Sequence, residues 1–206
     1  KNDYTTFHTG KWHNGEKAFL KGFDQGSKIF FGGMSDHYQV PTKELNYKNQ
    51  LSEIKIDSTH SSELFAVAAE KFIRDYDDSN PFFLQVSFTA PHDPRNMPQE
   101  YLKLYDTIEI DVPKNFATMH PFDNGELDIR DEWLAGYPRS REEIKANIVA
   151  YYAMITHMDE QIGNIIKTLD EKGLRDNTII VFTSDNGLAV GQHGLMGKQN
   201  LYEHST

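Results

Sequence analysis

The sequence predicts an α/β protein with a mostly parallel sheet flanked by helices. Three observations predict it. Several apolar runs are continuous rather than alternating, which suits strands buried on both faces. Helical spacings lie between those runs. Near the C-terminus a long helix pattern passes through a glycine into another apolar run, the second half of a βαβ unit. With 206 residues and 38% hydrophobic content, the chain can build one substantial core. One domain over residues 1–206 is expected.

The strand candidates come first. "YTTFHTGKWH" (Tyr4 to His13) is rich in β-branched and aromatic residues. "KIFFGG" (Lys28 to Gly33) is stopped by two glycines, and "PFFLQVSFTAP" (Pro81 to Pro91) is nearly all apolar at its start. "NTIIVFTSD" (Asn177 to Asp185) has the same character and predicts a fourth buried strand. Between them, Ser61 to Tyr76 places Leu64, Phe65, Ala68, Phe72 and Ile73 at helical steps.

The stretch from Ser140 to Lys172 carries the strongest helix signal. Ser140 and Glu143 form a capping-box pattern. Ile144, Ile148, Tyr151, Ile155, Met158, Ile162, Ile165 and Leu169 follow at three- and four-residue steps, and Gly173 is a natural C-cap. About 33 residues at about 1.5 Å each give roughly 50 Å, long enough that a kink or break is expected. Asp106 to Arg139 differs: it holds Pro113, Pro121 and Pro138 with scattered aromatics and no period. A long irregular insertion, functional or mobile, is expected there.

Composition excludes several classes of function. The net charge of −10 argues against nucleic acid as the main partner. It is compatible with a bound divalent cation, and local Lys and His can still make a pocket for an anionic substrate. The absence of cysteine rules out disulfides, thiolate zinc sites and a cysteine nucleophile within this chain. No apolar run reaches the roughly 18 residues of a membrane span, and no signal peptide is visible.

Ligands of open α/β sheets bind beyond the carboxyl ends of the strands, so the residues after each run are the candidates. Lys11 and His13 in "TGKWHNG" are two apart and project to one face, with Trp12 opposite. A Lys beside a His suits an anion that also exchanges a proton. In "TAPHDPR" two prolines fix the backbone around His92 and Asp93. Asp185 and Asn186 in "SDNG" offer a carboxylate and an amide oxygen, which hard cations prefer. Gly187 permits a tight or left-handed turn. His193, Lys198 and His204 follow in a stretch with four glycines. Each of these stretches, taken singly, also fits an ordinary surface loop. His120, Arg130 and Arg139 could contact a sugar or its acid group, but a surface position is the expectation for each.

Taken together, "TGKWHNG", "PFFLQVSFTAPHDPR", "MDEQIGNIIKTLDEKGLRDNTIIVFTSDNG" and "GQHGLMGKQNLYEHS" resemble, in order, the type I sulfatases of the alkaline-phosphatase-like superfamily. "MHPFDNGELDIRDEWLAGYPR" is similar to bacterial members labelled choline sulfatase-like or carbohydrate sulfatases. The resemblance implies an alkaline phosphatase-like fold, incomplete here, and cleavage of the sulfate ester of a carbohydrate or small organic alcohol. It implies that Lys11 and Lys198 bind sulfate. His13 would contact the nucleophile's hydroxyl, and His92 would stand near the leaving oxygen. Asp185 and Asn186 would be ligands of Ca²⁺, with Mg²⁺ as the alternative, and His193 would contribute weakly to substrate binding.

The nucleophile in this family is a formylglycine made from Cys or Ser in a C/S-x-P/A-x-R motif, which this chain lacks. Together with a pair of acidic metal ligands, it is expected upstream of Lys1. The natural N-terminus is therefore expected to be missing, and the 206 residues alone to be inactive. A periplasmic or secreted location is implied by the resemblance. Two other readings remain: a phosphodiesterase or phosphonate monoester hydrolase on the same scaffold, and a non-catalytic anion-binding module.

Overall fold

A strand needs a neighbouring backbone to take its hydrogen bonds, and that requirement separates the anticipated strands that form from the one that does not. In the computed structural model, which describes residues 3–77 and 79–205, the chain divides into two compact units. The first comprises Lys1–Tyr101 with Met154–Thr178, the second Leu102–Ala153 with Ile179–Thr206.

The first unit holds the sheet. β1 (Thr5–Lys11) lies between β2 (Gln25–Phe30) and β5 (Phe82–Ser87), parallel to both. Phe7 to Gly10 are buried, as the β-branched and aromatic composition demands of a central strand. β3 (Pro41–Leu45) and the two-residue β4 (Lys55–Ile56) extend the sheet antiparallel beyond β2, giving the order β4-β3-β2-β1-β5. The sheet is therefore mixed: the three anticipated strands pair in parallel, and two short strands without a sequence signal add the antiparallel edge. Gly10 allows β1 and β5 to meet. Its φ is +96°, and a Cβ there would stand 2.1 Å from the Ser87 carbonyl oxygen.

Helix α1 (Glu16–Gly22) links β1 to β2 and buries Phe19 with Phe23 and Ile29. Helix α2 (Ser61–Asp75) forms where its spacing predicts. Its buried face sets Ala66, Ala69, Phe72 and Ile73 against Phe7 and against Ile165 and Leu169 of the long C-terminal helix. Phe7 and Phe72 stack with centroids 4.4 Å apart.

After the short α3 (Gln99–Lys103), the long helix α4 runs unbroken from Arg141 to Glu171, so the expected break is absent. The Ser140 hydroxyl accepts the Glu143 N–H at 3.1 Å, but Glu143 turns its carboxylate to the Gly136 N–H instead of closing the capping box. Gly173, at φ +67°, caps the C-terminus, where the Leu174 N–H reaches the Leu169 carbonyl at 2.9 Å.

The second unit has its own core of Val112, Ala135, Ile144, Ile148, Val190 and Met196. The first part of α4 supplies Ile144 and Ile148. The Asp106–Arg139 stretch is irregular apart from a 3₁₀ turn at Arg130–Leu134.

The fourth anticipated strand does not form. Arg175–Asn177 is a 3₁₀ turn, and residues 178–184 are not in a strand. Ile179, Val181 and Phe182 are 93%, 79% and 76% exposed. The run has the composition of a buried strand, but among the described residues no strand pairs with it.

Candidate active site

β1 and β5 are parallel neighbours, so the segments leaving their carboxyl ends emerge at the same end of the sheet. Lys11 is the last residue of β1, and His13 stands two residues beyond. Trp12 turns away to pack on His8, Phe19 and Phe23, and its indole N–H reaches the Gly15 carbonyl at 3.1 Å. A Cβ on Gly33 would come within 3.1 Å of the His13 ring, so that glycine leaves the ring its space.

His92 lies five residues beyond the end of β5, in a turn closed by its own N–H on the Thr89 carbonyl at 3.0 Å. The His92 Nδ1 lies 3.0 Å from both the Asp93 carbonyl and a carboxylate oxygen of Asp93. Both partners are acceptors, so Nδ1 carries a proton. Asp93 orients the ring, as a carboxylate behind a histidine does.

The second unit holds Asp185, Asn186, His193 and Lys198. Asp185 is exposed, and one of its carboxylate oxygens accepts the Asn186 N–H at 3.0 Å. The next residue, Gly187, is required by close approach rather than by a left-handed turn: a Cβ would stand 2.0 Å from the His204 carbonyl oxygen.

The glycine-rich stretch is not a flexible surface loop. Ala189, Val190, Leu195 and Met196 are buried within it. Inside it His193 takes φ +53°. Its Nε2 receives the Asn115 side-chain N–H at 3.0 Å, and its ring stacks on Tyr202 with centroids 4.1 Å apart. These residues, with Gln192, Leu201, Glu203 and His204, line a cavity of about 540 Å³.

Two surface assignments are corrected here. Arg139 is 1% exposed and His120 is 6% exposed; Arg130 is exposed as expected. His120 donates from Nδ1 to the Phe122 carbonyl at 2.6 Å and accepts the Tyr202 hydroxyl at 3.0 Å. Arg139 pairs with Glu132 at 2.6 Å, both side chains fully buried, and donates to the Gly194 carbonyl at 3.1 Å.

The two oxygens of the Glu132 carboxylate accept the backbone N–H groups of Met196 and Gly197 at 2.8 and 2.9 Å. The Arg139–Glu132 pair thus fixes the backbone that leads into Lys198. Sequence reasoning missed this support, because an Arg and a Glu seven residues apart in an irregular stretch show no period and no motif.

Asp185 and Asn186 suit a hard cation by donor type, since both offer oxygen. They supply two of the six to eight oxygens that Ca²⁺ takes. Among the described residues no group of three or more His, Asp or Glu side chains is placed to hold a metal ion.

The chain belongs to the sulfatase family, whose model matches residues 1–206. It is 30% identical over 209 residues to an arylsulfatase of Klebsiella aerogenes, covering 89% of this chain and 45% of that protein. It is 30% identical over 225 residues to the choline-sulfatase of Rhizobium meliloti, covering 98% of this chain and 43% of that one. The chain therefore spans less than half the length of these relatives. A structure solved with its substrate D-glucosamine-2-N,6-O-disulfate superposes with a TM-score of 0.73 at 20% identity, covering 98% of this chain and 51% of that one. At that identity the likeness establishes the fold.

Proposed function

We propose that these residues serve a sulfuric ester hydrolase acting on the sulfate ester of a carbohydrate or small organic alcohol. The observation that supports it best is the exit of Lys11, His13 and His92 from the carboxyl ends of two adjacent parallel strands in a chain that belongs to the sulfatase family throughout. A glycan substrate is favoured by the sugar disulfate that the structural neighbour binds.

Lys11 and Lys198 hold the non-bridging oxygens of the ester, where charge is greatest. His92, its Nδ1 proton fixed by Asp93, gives the Nε2 proton to the leaving alcohol when the ring is charged. His13 takes a proton at the nucleophile. Asp185 and Asn186 would contribute to a Ca²⁺ site, or a Mg²⁺ site. The cation would neutralise charge on the sulfate, and a formylglycine from outside this chain would supply the attacking oxygen. Among the described residues no helix is long and apolar enough to cross a membrane, and a periplasmic or secreted location accords with the reading.

The test is turnover by the full-length protein of aryl sulfate against aryl phosphate. Sulfate turnover should dominate, and Lys11→Ala or Lys198→Ala should lower kcat by about 10²–10³, the usual effect of removing one such contact. Faster hydrolysis of the phosphate ester would replace this reading with a phosphoryl-transfer one. Sulfate-ester binding without turnover of either substrate would favour an anion-binding module.

A further inference from the structure

Behind the His92 turn lie three histidines that the proposed chemistry does not use. His37, His60 and His157 are 0%, 1% and 0% exposed. His37 and His60 stack with centroids 5.0 Å apart and planes 12° from parallel, and the edge of His157 meets His60 at 4.5 Å. Burying imidazoles is costly unless their nitrogens are hydrogen-bonded, so each bond made here has a consequence.

The bonds settle which nitrogen carries the proton. His60 is the N-cap of α2, and its Nδ1 lies 3.1 Å from the Ser62 backbone N–H. A backbone N–H can only donate, so Nδ1 is the acceptor and the proton sits on Nε2. That Nε2 faces the Asn96 carbonyl at 3.2 Å. In His37 the Nε2 lies 2.9 Å from the His92 carbonyl. A carbonyl only accepts, so here too Nε2 is the donor. The His37 Nδ1 is left to accept from the Ser61 hydroxyl at 2.8 Å, with Thr89 Oγ1 3.2 Å away.

Both rings therefore have the same polarity. One nitrogen is fixed to the first residues of α2, and the other donates to the turn after β5. The two carbonyls they engage, those of His92 and Asn96, bracket the turn. Asn96 is tied a second time, its side-chain N–H donating to the Asp36 carboxylate at 3.1 Å.

We propose that His37 and His60 are positioning residues that clamp the His92–Asn96 turn through paired Nε2–H donors and so set the place of the His92 ring. The proposal rests on reading His92 as a group of the sulfate site, but the clamp itself can be tested without turnover. Helix capping alone would need only the Nδ1 atoms. It gives no reason for both Nε2 atoms to end on one turn.

The first measurement is a long-range ¹H–¹⁵N correlation on the labelled chain at neutral pH. Both His37 and His60 should be the Nε2–H tautomer, and an Nδ1–H tautomer in either overturns the proposal. The second compares His37→Phe, which keeps a ring without a donor, with His37→Gln, whose amide N–H reaches the same place as Nε2–H. Amide exchange at residues 92 and 96 should rise about tenfold in His37→Phe, the effect of losing one hydrogen bond. It should stay unchanged in α2 and β1, and His37→Gln should restore it.

Unchanged exchange at the turn, or an equal rise throughout the unit, overturns the clamp. If His37→Phe does not fold, the tautomers and His37→Gln decide. In the full-length protein, kcat on aryl sulfate should fall with the loosened turn and recover in His37→Gln, and an unaffected kcat overturns the positioning role. No turnover by the wild type would count against the sulfatase reading alone, leaving tautomer and exchange to judge the clamp.

Discussion

Arg139 heads the fully buried side chains among the described residues, although nothing in "GYPRS" marks it as internal. Besides its pair with Glu132, its guanidinium lies 3.7 Å above the Tyr137 ring and donates to the Glu132 and Ala135 carbonyls. Removing one member of such a pair leaves the other charge buried without compensation. Arg139→Met should therefore lower the unfolding free energy by about 3–5 kcal/mol in urea titration. A loss under about 1 kcal/mol would mean the pair behaves like a surface bridge.

His8 makes a different prediction at the same scale. Burial among Trp12, Phe19 and Phe23 lowers its pKa to about 4, against weaker upward effects from the Gly10 and Lys11 backbone. A depressed histidine is fully stabilising above the unfolded pKa of 6.5. As pH falls from there towards about 4, the unfolded chain takes up the proton first and stability is lost. The loss is roughly 1.4 kcal/mol per pH unit in that window. His8→Phe should flatten the urea midpoint between pH 6.5 and 5 relative to wild type, and an unchanged slope would show that His8 does not titrate as its burial requires.

At the scale of elements, a pattern was legible where one element alone determined the outcome. α2 follows from apolar spacing, α4 from apolar spacing and caps, and β1, β2 and β5 from β-branched, aromatic and apolar runs. β3 and β4 were not legible, because Pro41–Leu45 and Lys55–Ile56 are too short to show a period and are held by the strand beside them.

Asn177–Asp185 is the converse: its composition was read correctly as strand-like, but pairing depends on a neighbour. A strand-prone run with Ile179, Val181 and Phe182 exposed and no charge between Thr178 and Ser184 invites edge-to-edge association. Phe182→Lys should therefore reduce self-association of the 206-residue chain in sedimentation velocity, with the circular dichroism of the helices preserved. Identical sedimentation of the two proteins would mean the run is covered in solution.

At the scale of the whole molecule, the sequence offered candidate residues but not what supports them. Four stretches in family order pointed to Lys11, His13, His92, Asp185, Asn186 and Lys198 as candidates. What holds them was invisible: His37 and His60 lie 55 and 36 residues from the carbonyls they reach, and Glu132 lies 64 residues from the Met196 N–H it accepts. The same scale decides cation binding. With only the oxygens of Asp185 and Asn186 available and no cluster of three acidic or histidine groups among the described residues, the 206-residue chain should hold Ca²⁺ with a dissociation constant above about 10 mM, weaker than the sites of extracellular modules. Ligand linkage then gives under about 0.1 kcal/mol of stabilisation at about 1 mM free Ca²⁺, and adding or chelating the ion should leave the melting curve unmoved. The same chain should show no turnover of aryl sulfate, since it has no cysteine and no serine followed by the x-P/A-x-R pattern. A rise of several degrees in Tm on adding Ca²⁺, reversed by chelation, would show that these residues assemble a fuller oxygen cage than Asp185 and Asn186 provide. Turnover that survives Lys11→Ala would show that hydrolysis proceeds without the lysine assigned to the sulfate.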